Sequence, residues 1–202
     1  MKNAAFFLLL FFITLVSDAQ QANWYHFTEE FYFVKEVPAV KYRGKNFRYE
    51  IAVKSNPSDT NSKVRVHGIG VGKHNADYLN GSFRIENRQE QDWTIYTIVG
   101  KVDTVAWKLW FYAAVNGNGH FFFDDVNCYI EESPGYWKQL HLYNSSFEEK
   151  SSDIFKGYYV SRKRSDKVRT NLSNDVYKTG KRSLHVQTKS QKPVIETNIA
   201  RN

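Results

Sequence analysis

Residues 106–130, AWKLWFYAAVNGNGHFFFDDVNCYI, constrain the fold more than any other stretch of the chain. Trp107, Leu109, Phe111, Ala113 and Val115 fall on one face of an alternating pattern, and Lys108, Trp110 and Tyr112 on the other. After Gly117-Asn118-Gly119 the alternation resumes, with Val126, Cys128 and Ile130 set against Asp125, Asn127, Tyr129 and Glu131. Successive side chains of a strand point to opposite faces, so each half reads as a strand with one buried side. A Gly/Asn turn between two such runs is hairpin chemistry and predicts two long strands folded back on each other. At about 3.3 Å per residue each arm spans roughly 30 Å, enough to cross a β-sandwich. Trp107, Leu109, Phe111, Val126 and Ile130 are the expected core.

The residues before this ribbon supply more strands at short intervals. Phe31 to Val34 is one, stopped by Pro38; Asn46 to Lys54 alternates Phe47, Tyr49, Ile51 and Val53 with Arg48, Glu50, Ala52 and Lys54. Lys63 to Val71, Ser82 to Glu86 and Trp93 to Val99 follow, and SNPSDTNS at 55–62 is a loop by composition. No stretch keeps a helical period. Aromatic residues make up 16% of the chain, which suits packed sheet and not a disordered chain. The class is therefore all-β, an antiparallel β-sandwich.

The first 19 residues read as a signal peptide. Lys2 precedes an apolar run from Ala4 to Val16, and Ser17-Asp18-Ala19 offers small residues for cleavage after Ala19. The run is shorter than the ~20 residues a membrane span needs. A secreted or periplasmic protein with no membrane span is expected. The net charge of +7 lies wholly beyond residue 143: residues 1–143 hold 15 Lys+Arg and 15 Asp+Glu, residues 144–202 hold 13 and 6. With Ser133-Pro134-Gly135 marking a turn, this divides the chain into a sandwich at 24–132, a linker at 133–143 and a second segment at 144–202.

Several kinds of chemistry are excluded by the residues themselves. One cysteine, Cys128, leaves no internal disulfide and reads as a small buried hydrophobe. The six histidines have no metal-ligand spacing. Gly68-Ile69-Gly70-Val71-Gly72-Lys73 lacks phosphate-loop spacing and reads as a strand under close backbone approach. Arg162-Lys163-Arg164 is basic, yet an exported chain is not expected to meet nucleic acid. Asp124 and Asp125, adjacent on a strand, would point to opposite faces and so not form a glycosidase pair. No nucleophile motif is present, and a non-catalytic, monomeric protein is expected. Trp110 and Tyr112, with Lys108 and Asn127 on the same face, either stack on a sugar ring and hydrogen-bond it or lie under neighbouring loops.

The segments PAVKYRGKNFRYEIAVKSNP from Pro38 and QDWTIYTIVGKVDTVAWKLWFYAAVNGNGHFFFDDV together resemble a galactose-binding-like jelly roll. They are similar to the non-catalytic N-terminal modules of secreted bacterial tail-specific serine peptidases and, more distantly, to carbohydrate-binding modules. NSSFEE at 144–149 resembles the opening strand of another such module, and Tyr177 to Val186, YKTGKRSLHV, a strand found early in one. The resemblance implies a binding module for glycan or, as an alternative, a protein-contact or spacer module from a truncated peptidase. It implies no catalytic residue. It also offers two readings of Asp124 and Asp125: a structural calcium site aided by Glu29 or Glu30, or a strand end at which Asp124 bonds backbone and Asp125 faces solvent. The segment 144–202 is short of a whole sandwich and is expected to be an incomplete second module, loosely held beyond Ser161 apart from a strand or two resting on the first.

Overall fold

A computed structural model describes residues 31–75, 77–79, 81, 83–161 and 167–189. The leader at 1–19, Glu29, Glu30 and Arg162-Lys163-Arg164 lie outside the described residues. Among the described residues twelve strands follow in order: β1 (Phe31–Pro38), β2 (Asn46–Pro57), β3 (Lys63–Val71), β4 (Tyr78–Leu79), β5 (Arg84–Glu90) and β6 (Trp93–Lys101); then β7 (Lys108–Asn116), β8 (Gly119–Ser133), β9 (Tyr136–Gln139), β10 (Tyr159–Val160), β11 (Val168–Ser173) and β12 (Ser183–Thr188). A single 3₁₀ turn, Val40–Tyr42, is the helical element among the described residues. The fold is an all-β antiparallel sandwich. One sheet runs β10-β1-β7-β3-β4 and the other β11-β12-β8-β2-β6-β5, with β9 on the free half of β8.

The strands around Gly117-Asn118-Gly119 are not a hairpin. β7 pairs with β1 and β3, β8 pairs with β2 and β12, and the turn carries the chain from one sheet to the other. The reason lies in both arms having an apolar face. Across the core those faces meet each other, and each strand is free to take two neighbours in its own sheet. Side chains and backbone from elsewhere fix the turn: Asn118 N–H donates to Asp59 Oδ2 at 3.2 Å, Ser58 N–H to the Asn118 carbonyl at 2.9 Å, and the Thr188 hydroxyl to the Gly117 carbonyl. Gly117 has φ +78°, and a Cβ there would meet Ser62 Cα at 2.6 Å, so glycine is required.

Aromatic rings fill the space between the sheets. Phe111 of β7 stacks on Tyr49 of β2 with centroids 4.0 Å apart and planes 8° from parallel. Phe33 of β1 meets Phe123 of β8 edge-on at 5.1 Å. Leu109, Phe111, Val126 and Ile130 are buried as expected, and so is Cys128, whose thiol burial pushes up to about 12. Gly68 admits the close approach read from the sequence: a Cβ would stand 3.0 Å from the Phe83 ring and 3.3 Å from Phe111. Trp107 departs from the expected core. Although it continues the alternation, it precedes β7, with its backbone bonded to Ala39 and Val71 at the end of the sandwich, and is 43% exposed.

The described residues beyond 143 are built into the same two sheets. β12 lies between β8 and β11, β10 extends β1, and Phe147, Leu184 and Val186 are buried in the same core as Phe33 and Phe123. The charge shift near 133–144 reflects surface composition and leaves the apolar positions of the segment unaffected. Glu148 ties the two halves of this segment together, its Oε1 accepting N–H groups of Lys181 and Arg182 at 2.7 Å each. Asn144 holds the loop after it: Nδ2 donates to the carbonyls of Ile154 and Lys156 at 3.3 Å. Lys35, turned inward from β1, donates to the carbonyls of Tyr143 and Gly157 and lies 4.0 Å above the Tyr158 ring; burial lowers its ammonium pKa to about 8.

Phe111→Ala tests the facing of the two sheets. Emptying this site is expected to cost about 3–5 kcal/mol in urea unfolding. A loss below about 1 kcal/mol would place Phe111 outside the core.

Candidate functional site

The outer face of the five-stranded sheet concentrates aromatic side chains. Pairing of β1 with β7 puts Val34 opposite Tyr112 and Glu36 opposite Trp110, and pairing with β10 brings Tyr159 opposite Val34. Alternation therefore sends Tyr32, Val34, Glu36, Lys108, Trp110, Tyr112 and Tyr159 outward together. Their inward neighbours, Phe33, Leu109 and Phe111, anchor the strands that present them.

Tyr32, Val34, Trp110, Tyr112 and Tyr159 line a cleft of about 290 Å³, closed on one side by Asn75 of the β3–β4 connection and Tyr78 of β4, with Glu36 and Lys108 beside it. Trp110 is the hub. Its ring centroid lies 6.2 Å from Tyr78, 6.3 Å from Tyr159 and 6.5 Å from Tyr112, all at angles between 55° and 78°. Tyr112, 5% exposed, forms the floor over Val34 and Ile69, while Tyr78 at 39% and Tyr159 at 55% form the rim. One carboxylate oxygen organises the polar side: Glu36 Oε2 accepts Lys108 Nζ at 2.9 Å, Trp110 Nε1 at 2.9 Å and the Tyr159 hydroxyl at 3.4 Å. Charge-assisted bonds of this kind hold the indole and ammonium in place before a ligand arrives.

Of the four residues expected to bind ligand, Lys108, Trp110 and Tyr112 are thus brought together and Asn127 is not. Asn127 belongs to β8 in the other sheet, where it donates to the Asp125 carbonyl at 3.1 Å and accepts from Gln139 Nε2 at 2.7 Å. Glu36 beside the cleft, and Tyr32, Tyr78 and Tyr159 within it, were not among the expected residues. Alternation of Tyr32, Val34 and Glu36 along β1 was the signal that could have found the first two.

Asp124 and Asp125 occupy a bulge in β8. Glu50 faces Asn127 while Ala52 faces Asp124, so Ile51 opposes two residues, and Asp125 takes φ +49°. The bulge draws both carboxylates toward one turn instead of to opposite faces. Asp124, fully buried, accepts N–H groups of Asp125 at 2.8 Å, Lys178 at 2.8 Å and Thr179 at 3.2 Å. Asp125 accepts the Thr179 hydroxyl and lies 3.5 Å from the Lys178 ammonium. This donor set does not fit calcium, which wants six to eight oxygens and finds here N–H groups on both oxygens of Asp124 and a cation beside Asp125. Among the described residues no three of His, Cys, Asp and Glu converge on a metal position. The same residues hold no helix long and apolar enough to cross a membrane. No family model, curated protein or solved structure matches the chain.

Burial raises the Asp124 carboxyl pKa to about 6, with its backbone N–H bonds pulling in the opposite direction. A carboxyl raised in the fold favours folding while protonated, so its contribution is full below about pH 4 and falls as pH rises to about 6. Asp124→Asn removes this titration and sets an amide against backbone donors, at a cost of about 1–3 kcal/mol. The stability gap between native protein and variant should therefore narrow by about 1–3 kcal/mol from pH 4 to pH 6.5. A gap that widens with pH in parallel melts would show that the carboxylate is favoured in the fold.

Proposed function

We propose that the protein is a non-catalytic glycan-binding module whose ligand lies in the Trp110 cleft. The carrying observation is the convergence of Tyr78 and Tyr159 on Trp110, whose indole is bonded to the Glu36 carboxylate that also holds Lys108, on a solvent-facing sheet. A sugar ring has an apolar C–H face and a rim of hydroxyls. The aromatic rim offers surface for the first, and Glu36 and Lys108 offer an acceptor and donors for the second. The cleft is at the small end of ligand pockets, about 300–1,000 Å³, which suits one or two sugar rings held weakly. The chain's resemblance to carbohydrate-binding modules supports the same reading.

Trp110 contributes to the sheet as well as to the cleft, so Tyr159 is the cleaner probe. In calorimetric titration with the best ligand from an oligosaccharide array, Tyr159→Ala should weaken binding about tenfold, the loss of one ring contact of roughly 1.4 kcal/mol. Its melting temperature should stay within about 2 °C, because the ring is mostly exposed. Absence of binding to every glycan by the unaltered protein would reject the reading. Undiminished affinity in Tyr159→Ala and Trp110→Phe would move the ligand elsewhere.

A further inference from the structure

A second exposed surface lies at the end of the sandwich where β1 leads into β2 and β6 into β7. Three hydrogen-bonded segments form it: 39–46, 101–107 and 71–74. Ala39 N–H donates to the Trp107 carbonyl at 2.8 Å, Gly44 N–H to that of Val102 at 2.8 Å, and Trp107 N–H to that of Val71 at 2.8 Å. Arg43 Nε donates to the Ala106 carbonyl at 2.7 Å. On this frame Val40 is 47% exposed, Val105 58% and Trp107 43%. Around them stand Lys41, Arg43, Lys45, Lys73 and Lys101, all exposed or half-exposed. The nearby carboxylates are engaged with backbone or amide: Asp77 with His74 N–H, Asp103 with Val105 N–H, and Glu131 with Asn46 and the Gly135 N–H.

We propose that this end docks onto an anionic lipid surface, with Val40, Val105 and Trp107 entering the headgroup layer and the five cations meeting lipid phosphates. Apolar tips ringed by Lys and Arg are the combination that an interface rewards, through buried apolar area and attraction to negative headgroups together. Tryptophan suits the headgroup level because its ring is amphipathic. An acidic polysaccharide is the competing partner, and the ring geometry disfavours it. Arg43 and Lys73 both lie over the Trp107 ring, at 5.7 and 5.8 Å from its centroid, where a sugar would need to stack. Val40 and Val105 add nothing to the recognition of a charged sugar, whereas both gain by leaving water. Neither residue touches the Trp110 cleft, so this surface is independent of the glycan reading.

Co-sedimentation of the full chain with lipid vesicles tests the proposal. Binding is expected to phosphatidylcholine vesicles carrying about one third phosphatidylglycerol and not to phosphatidylcholine alone, since each basic residue contributes on the order of a fivefold factor at a negative surface. The double variant Val105→Ser, Trp107→Ser, checked for an unchanged circular dichroism spectrum and melt, should bind at least tenfold more weakly. Emission of the native protein should shift to the blue on binding, and Trp107→Phe should lose that shift. No binding to the anionic vesicles, or undiminished binding by the double variant, would overturn the proposal. Displacement by heparin with no emission shift would assign the surface to acidic polysaccharide instead.

Discussion

A buried carboxyl group at a strand bulge, that of Asp124, holds the two ends of this fold together. Asp124 interrupts the longest strand at the point where one partner, β12, ends and another, β9, has yet to begin. The gap in the ladder would leave backbone donors of the 177–179 turn unsatisfied inside the protein, a cost of 1–3 kcal/mol for each such group. Asp124 accepts two of them, and the neighbouring Val126 N–H finds the Ser145 carbonyl at 2.9 Å. The bulge thus receives both the loop that follows residue 143 and the turn that leads into β12.

The interior explains why that attachment is stable. Phe147 is seated against Phe33 and Tyr158, with the Tyr158 ring stacked on it at 5.3 Å. Lys35 closes this pocket by binding two loop carbonyls, so a cation serves there as a hydrogen-bond donor to backbone. The same strand, β1, turns Phe33 and Lys35 inward and Val34 and Glu36 outward. One strand therefore fixes the core packing of the late segment and the polar side of the Trp110 cleft at once.

Strand positions were legible in the sequence, and strand partners were not. Alternation from Phe47 to Val53 and from Leu109 to Val115 marks which side chains are buried, and the structure buries them. It carries no information on which strand lies alongside, so the Gly117-Asn118-Gly119 turn was compatible with a hairpin and with a crossover between sheets. That one ambiguity displaced Asn127: as the neighbour of a hairpin it would share a face with Trp110 and Tyr112, whereas across the core it belongs to the opposite outer surface. A finer sign was present in the phase of β8. Phe121 and Phe123 are odd-numbered while Val126, Cys128 and Ile130 are even, and the change of phase falls on Asp124-Asp125, where the bulge lies. Tyr159 entered the cleft only because the segment assigned to a second module completes the first sheet.

The described residues from Phe31 to Lys189 form one cooperative sandwich in which the late strands share the core of the early ones. Native-state hydrogen exchange followed by mass spectrometry addresses it most directly, because a strand shared by one core opens only with that core. Peptides covering β12 should exchange with the same opening free energy as those covering β2, within about 1 kcal/mol, and both should lose protection at one urea midpoint. Exchange of β12 several kcal/mol more easily than β2, on the 5–15 kcal/mol scale of a whole domain, would show that the late segment is an appendage and not part of one core.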